Sequence, residues 1–152
     1  MTTHVQTLDH GRIRELRLAR PPVNALDPAL CRALITTLDA AVADGVDAVV
    51  LSGAPGIFSA GLDVPHLMAL GQDRQALHAG WGAFFGAARS LAALRIPVVA
   101  ALTGHAPAGG CVLSLCCDYR VMARSPNPVK PFMIGMNETQ VGLAVPEGAQ
   151  QL

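Results

Sequence analysis

The sequence predicts an α/β fold, on three observations. "VDAVVLSG" and "RIPVVAALTG" are short, nearly continuous apolar runs closed by glycine, a helical stretch from about Trp81 to Leu94 lies between them, and "CDYRVMA" is a third candidate strand. Runs of this kind suit strands buried on both faces of a parallel sheet. Strand, helix and strand with crossovers of this length make a right-handed α/β unit. At 152 residues the chain has the size of one domain, residues 1–152, with one core.

Taken in order, "RIRELRLAR" places Ile13, Leu16 and Leu18 in imperfect alternation with arginines, as in a strand with one wet face. "RPPVNALD" ends it, because two prolines cannot continue a ladder. Asp27 followed by Pro28 is an N-cap and first-turn pair, and Leu30, Leu34, Ile35 and Leu38 recur at helical spacing, predicting a helix over Asp27 to Ala43. "SPNPVKP", from Ser125, is excluded from a sheet interior by its prolines. Apolar character returns in "FMIGMNETQVGLAVP".

Acidic and basic residues balance at eleven each and Lys130 is the only lysine. No basic face recommends nucleic acid or an anionic membrane as partner, so a small ligand or enzyme substrate is expected. Cys31, Cys111, Cys116 and Cys117 lack zinc-ligand spacing and read as core residues in a reducing compartment, with no metal. "MTTHVQTLDHGR" has no targeting pattern and no run is apolar enough to span a bilayer, so the expected location is cytoplasmic.

The informative feature occurs twice. "LSGAPGIFSAGLDV" and "ALTGHAPAGGCVL" each run from strand through a glycine turn to small residues opening a helix. Such loops leave backbone N–H groups uncovered, and the first N–H groups of a helix have no internal partner. Two such sites meeting would form an oxyanion hole, whose donors can each contribute roughly 3–4 kcal/mol to transition-state stabilisation. Taken singly, either motif reads as helix-against-sheet packing; the pair in order favours the site.

"FSAGLDV" together with "PVVAALTGHAPAGGCVLSLCCDYRVMA" resembles the crotonase, or enoyl-CoA hydratase/isomerase, superfamily, over about residues 11 to 146. The resemblance implies a spiral of ββα turns, an acyl-CoA thioester as substrate, no separate cofactor because coenzyme A is part of that substrate, and a homo-oligomer of trimer type. It also implies a C-terminal helical region that this chain lacks. By motif, the oxyanion donors would be the N–H groups of Leu62 and Gly109. Ala25 in "RPPVNALD", Ala60, Gly61, Leu62, Asp63 and Val64 in "SAGLDV", and Gly109 and Gly110 in "PAGGC" would contact substrate.

The chain has three glutamates, Glu15, Glu138 and Glu147. Hydratases of this superfamily carry one catalytic glutamate where this sequence has Val112, and a second that aligns with Glu138. Hydration shares its work between two carboxylates, whereas moving a double bond needs one base that takes a proton and returns it nearby. "IGMNETQVGLAVP" resembles the segment that holds the sole catalytic glutamate of 3,2-trans-enoyl-CoA isomerases. The resemblance thus implies Glu138 as proton shuttle, with Asn137 beside the substrate and Met136, Ile134 and Val141 as apolar surroundings, in fatty-acid β-oxidation. Two alternatives stay open: a non-catalytic piece that binds acyl-CoA or another subunit, and another reaction of the superfamily such as hydration.

Other polar residues keep plainer readings. Asp63 is expected to cap a helix, His66 to lie exposed in its first turn, His105 to sit in a variable loop, and Asp118 to pair with Arg120 near a strand end.

Overall fold

The computed structural model describes residues 4–137. Eight strands and four helices alternate along it: β1 (Val5–His10), β2 (Ile13–Leu18), α1 (Pro28–Ala43), β3 (Ala48–Ser52), β4 (Gly56–Ile57), α2 (Val64–Ala69), α3 (Arg74–Ala92), β5 (Val98–Leu102), β6 (Gly104–Pro107), α4 (Gly109–Leu115), β7 (Tyr119–Met122) and β8 (Ile134–Gly135). A five-stranded sheet has the order β1-β2-β3-β5-β7 and a three-stranded sheet the order β4-β6-β8. β2, β3, β5 and β7 run parallel, and β1 joins β2 antiparallel at one edge. The turns that start at β3 and β5 each lay one strand in the large sheet, one short strand in the small sheet, and then helix; β2 leads directly to α1, and β7 is followed by β8. This is the α/β, ββα spiral of the crotonase fold.

The helices form where caps and apolar spacing coincide. Asp27 accepts the Leu30 N–H at 2.7 Å, Pro28 opens α1, and Leu30, Cys31, Leu34, Leu38 and Ala41 are buried along one face. α3 begins before the predicted Trp81, because Asp73 caps it through Ala76 N–H at 3.0 Å, and it ends at Ala92. α4 is buried from Gly109 to Ser114, which explains why its sequence is apolar all round. Leu16, Leu18, Val49, Leu51, Val98, Ala100 and Leu102 complete the core from the large sheet.

β1, β4, β6 and β8 escape the sequence reading. β4 and β8 have two residues each, and Gly56 pairs face to face with Gly104 so closely that a Cβ on Gly104 would overlap the Gly56 backbone. Glycine is depleted in strands in general, so such pairing leaves no local signal. The proline-rich 125–131 segment lies outside any strand, as expected.

The predicted Asp118–Arg120 pair does not form. Asp118 accepts the Val98 N–H at 2.7 Å, while Arg120 donates to the Ser114 and Cys117 carbonyls at 3.2 and 3.1 Å. Both side chains tie backbone ends together, since unpaired carbonyls at the end of α4 and a free N–H at the start of β5 offer each a nearer partner.

Candidate functional site: two glycine loops

The spiral stacks the segments that follow the large-sheet strands. Leu26 bridges Leu62 in parallel: Leu26 N–H donates to Gly61 O at 2.7 Å and Asp63 N–H to Leu26 O at 3.1 Å. Ala108 N–H donates to Gly135 O at 2.9 Å in a later turn. Between these turns, a Cβ on Gly61 would stand 3.0 Å from the Gly109 nitrogen, and a Cβ on Gly109 would stand 3.3 Å from the Leu62 nitrogen. The N–H groups of Leu62 and Gly109 thus belong to one place. Neither has an acceptor among the described residues.

The two glycines of "PAGG" differ in cause. A side chain on Gly110 would meet the Ser59 carbonyl oxygen at 2.6 Å, so Gly110 is required for α4 to pack on the "FSAG" loop. At Gly109 the nearest atoms are side-chain tips, Leu26 Cδ1 at 3.1 Å and Phe84 Cε2 at 3.2 Å, beside the Leu62 nitrogen. Ahead of them Ala108 has φ 47° and ψ −120°, with no side-chain cap. That backbone costs roughly 1–3 kcal/mol in a non-glycine residue and persists where the surroundings hold it. No side chain of the described residues caps the buried α4 N-terminus, so its first N–H groups are left for another acceptor.

The first loop rests on polar residues that the sequence reading missed. Asn24 is buried at φ 51°, donates through Nδ2 to Phe58 O at 3.0 Å, and accepts the Arg20 N–H at 2.9 Å. Ser59 Oγ donates to Asn24 O at 2.8 Å and accepts the Gly61 N–H at 3.2 Å. Arg20 reaches Asp63 at 2.6 Å, Ala25 O at 3.0 Å and Asp27 at 3.1 Å. Only the Asn and Ser positions inside "NAL" and "FSAG" could have hinted at this framework.

Asp63 caps α2 as expected, accepting the His66 N–H at 3.0 Å. Burial pushes its carboxyl upward, but the His66 N–H and Arg20 outweigh that and hold it below the usual carboxylate range. His66 is half-buried, where an exposed position was expected. His105 Nδ1 accepts the Met133 N–H at 3.1 Å, which ties the start of β8 to β6. Burial pushes the Cys31 and Cys117 thiols up to about 12, and Cys116 is raised likewise, so these three are free but inert.

Of the remaining candidates, Ala25, Ala60 and Asn137 are half-buried, Gly61 is buried and Val64 is exposed. Met136 packs on the core and Ile134 is 42% exposed; the apolar shielding expected of them concerns Glu138, outside the described residues. Val112, where a hydratase glutamate would stand, is buried at 3%. Glu138 and Val141 lie outside the described residues. A surface groove of about 390 Å³ lies elsewhere, at the C-terminal ends of α1 and α3, lined by Asp39, Val42, Ser90 and Arg95 among others. Among the described residues no helix is long and apolar enough to cross a membrane.

A spiral of parallel ββα turns is the architecture of the crotonase class. The chain belongs to the enoyl-CoA hydratase/isomerase family, which it matches over residues 9–152. It is 35% identical over 144 residues to the mitochondrial enoyl-CoA delta isomerase 1 of Mus musculus, covering 93% of this chain and 48% of that one. A probable enoyl-CoA hydratase of Rhizobium meliloti is 34% identical over 117 residues, covering 76% of this chain and 44% of that one. The crystal structure of human mitochondrial delta3-delta2-enoyl-CoA isomerase superposes with TM-score 0.85 at 28% identity, covering 97% of this chain and 62% of that one. The chain thus spans about half the length of the curated relatives it matches.

Proposed function

We propose that the chain has enoyl-CoA isomerase activity, moving the double bond of a 3-enoyl-CoA to the 2-trans position. The observation that carries this is the juxtaposition of the Leu62 and Gly109 N–H groups, neither of which has an acceptor among the described residues. A thioester oxygen placed between them would be stabilised as it gains negative charge, each donor contributing roughly 3–4 kcal/mol. Glu138 takes a proton from C2; the C–H electron pair forms C1=C2 while the carbonyl π pair moves onto the thioester oxygen, giving a dienolate that keeps C3=C4. As C1=O re-forms, the C1=C2 pair shifts to C2=C3 and the C3=C4 pair takes the proton back from Glu138 at C4. The buried Val112 supports isomerisation over hydration, because no second carboxylate stands at that place to share the handling of water. The same reading includes a homo-oligomeric working form, in which the exposed Tyr119, Val121, Val129 and Met133 would be available for contact.

Hydration is the second reading, because relatives named as hydratases match at similar identity. The test is to give the purified protein a 3-enoyl-CoA and, separately, a 2-enoyl-CoA. Appearance of the conjugated thioester from the first, without formation of a 3-hydroxyacyl-CoA from the second, is the expected result. Efficient hydration would overturn the assignment.

A further inference from the structure

Beside Asn24 and Ser59, Arg20 is the charged residue that joins the two halves of the first loop, and although it opens "RPPVNALD" the sequence reading gave it no role. Its side chain, 25% exposed, engages three groups at once: Nη2 donates to Asp63 Oδ2 at 2.6 Å, Nη1 to the Ala25 carbonyl at 3.0 Å, and Nε lies 3.1 Å from Asp27 Oδ2. Ala25 and Asp27 flank Leu26, and Asp63 follows Leu62. The guanidinium therefore grips both sides of the residue that bridges Leu62, and also the residue whose N–H closes that bridge. Asp27 caps α1 and Asp63 caps α2, so the same cation sits between two helix N-termini.

We propose that Arg20 is a positioning residue for the oxyanion site, setting the direction of the Leu62 N–H by clamping Ala25, Asp27 and Asp63 together. The inference rests on the oxyanion reading given above. Its chemistry is that of a planar fork with several fixed donors, which a lysine point charge reproduces only in part. Without the cation, two half-buried carboxylates face one another across the clamp, and their repulsion spreads the segments that carry Leu26 and Leu62. The N–H of Gly109 belongs to α4 and keeps its place, so the pair loses its mutual aim while the site remains able to hold a ligand.

The test is the absorption spectrum of a cinnamoyl-type CoA thioester bearing an electron-donating amino group on its ring, bound to the 152-residue protein. Polarisation of its carbonyl moves the band to longer wavelength. The wild-type protein is expected to give this shift. Arg20→Met should lose more than half of it and about tenfold in kcat while the probe Kd changes by less than about threefold, and Arg20→Lys should fall between. Asp63→Asn preserves an N-cap residue of equal quality, and so tests the clamp if Arg20→Met does not fold. An undiminished shift in either folded variant overturns the role of Arg20, as does a rise in KM at unchanged kcat. Absence of any shift in the wild-type protein overturns the oxyanion reading and the inference with it.

Discussion

Gly61 lies against Gly109 so closely that a Cβ on the first would stand 3.0 Å from the nitrogen of the second. With Gly61 at φ 86°, a side chain there is opposed by backbone conformation and by space together. Two consecutive turns of the spiral are thereby locked in register, and the locked atoms include both candidate donors. Gly109→Val is predicted to lower kcat/KM at least about a hundredfold, the scale of losing one oxyanion donor. Turnover at the wild-type rate would remove Gly109 from the site.

Glu138→Gln is predicted to abolish nearly all isomerisation while leaving acyl-CoA affinity within about tenfold, because the carboxylate moves protons and does not hold the ligand. Steady-state kinetics beside a calorimetric Kd checks this. Retained activity would place the base elsewhere.

Gly110→Ala is predicted to destabilise the fold by about 1–3 kcal/mol through overpacking, since its Cβ would press on the Ser59 carbonyl at 2.6 Å. Gly82, in the middle of α3 with nothing within 4 Å of its missing Cβ, provides the opposite case. Gly82→Ala should stabilise by about 0.4–1 kcal/mol. Urea unfolding of both variants tests packing against helix propensity on one scale.

Acid should act through half-buried carboxylates. A 2.6 Å hydrogen bond from Ser52 holds Glu15 below its usual range against burial, with His10 and Arg17 assisting. Asp63 is likewise lowered although burial opposes it. A carboxyl depressed by folding contributes stability that is fully present above its unfolded pKa, about 4, and is lost as pH falls through the lower folded value. The urea midpoint is thus predicted to change little from these groups between pH 7 and about 5 and to fall below about 4. Arg20→Met should make that fall shallower by releasing Asp63.

The parts legible in the sequence were those with a local cause. α1 is announced by Asp27, Pro28 and apolar spacing, and β3 and β5 by short apolar runs, although only one face of each is fully buried: Val49, Leu51, Val98, Ala100 and Leu102 are buried while Val50, Val99 and Ala101 are half-buried. β4 and β6 have no such cause: Gly56 becomes a strand residue because Gly104 lies beside it one turn later. The same holds within the site. Leu62 and Gly109 could be named from motifs, but the strain at Ala108 is carried by a residue type that signals nothing, and the Arg20 to Asp63 contact spans 43 positions. Asp118 and Arg120 read as a charge pair, and the structure gave each a backbone partner instead.

The central claim is that the Leu62 and Gly109 N–H groups receive one thioester oxygen, and a crystal structure of the protein with a bound, non-reactive acyl-CoA tests it most directly. The account predicts the thioester oxygen within about 2.7–3.2 Å of both nitrogens, with C2 facing the Glu138 carboxylate. A thioester bound with its oxygen away from either nitrogen, or either N–H donating to the protein itself in that complex, would contradict it.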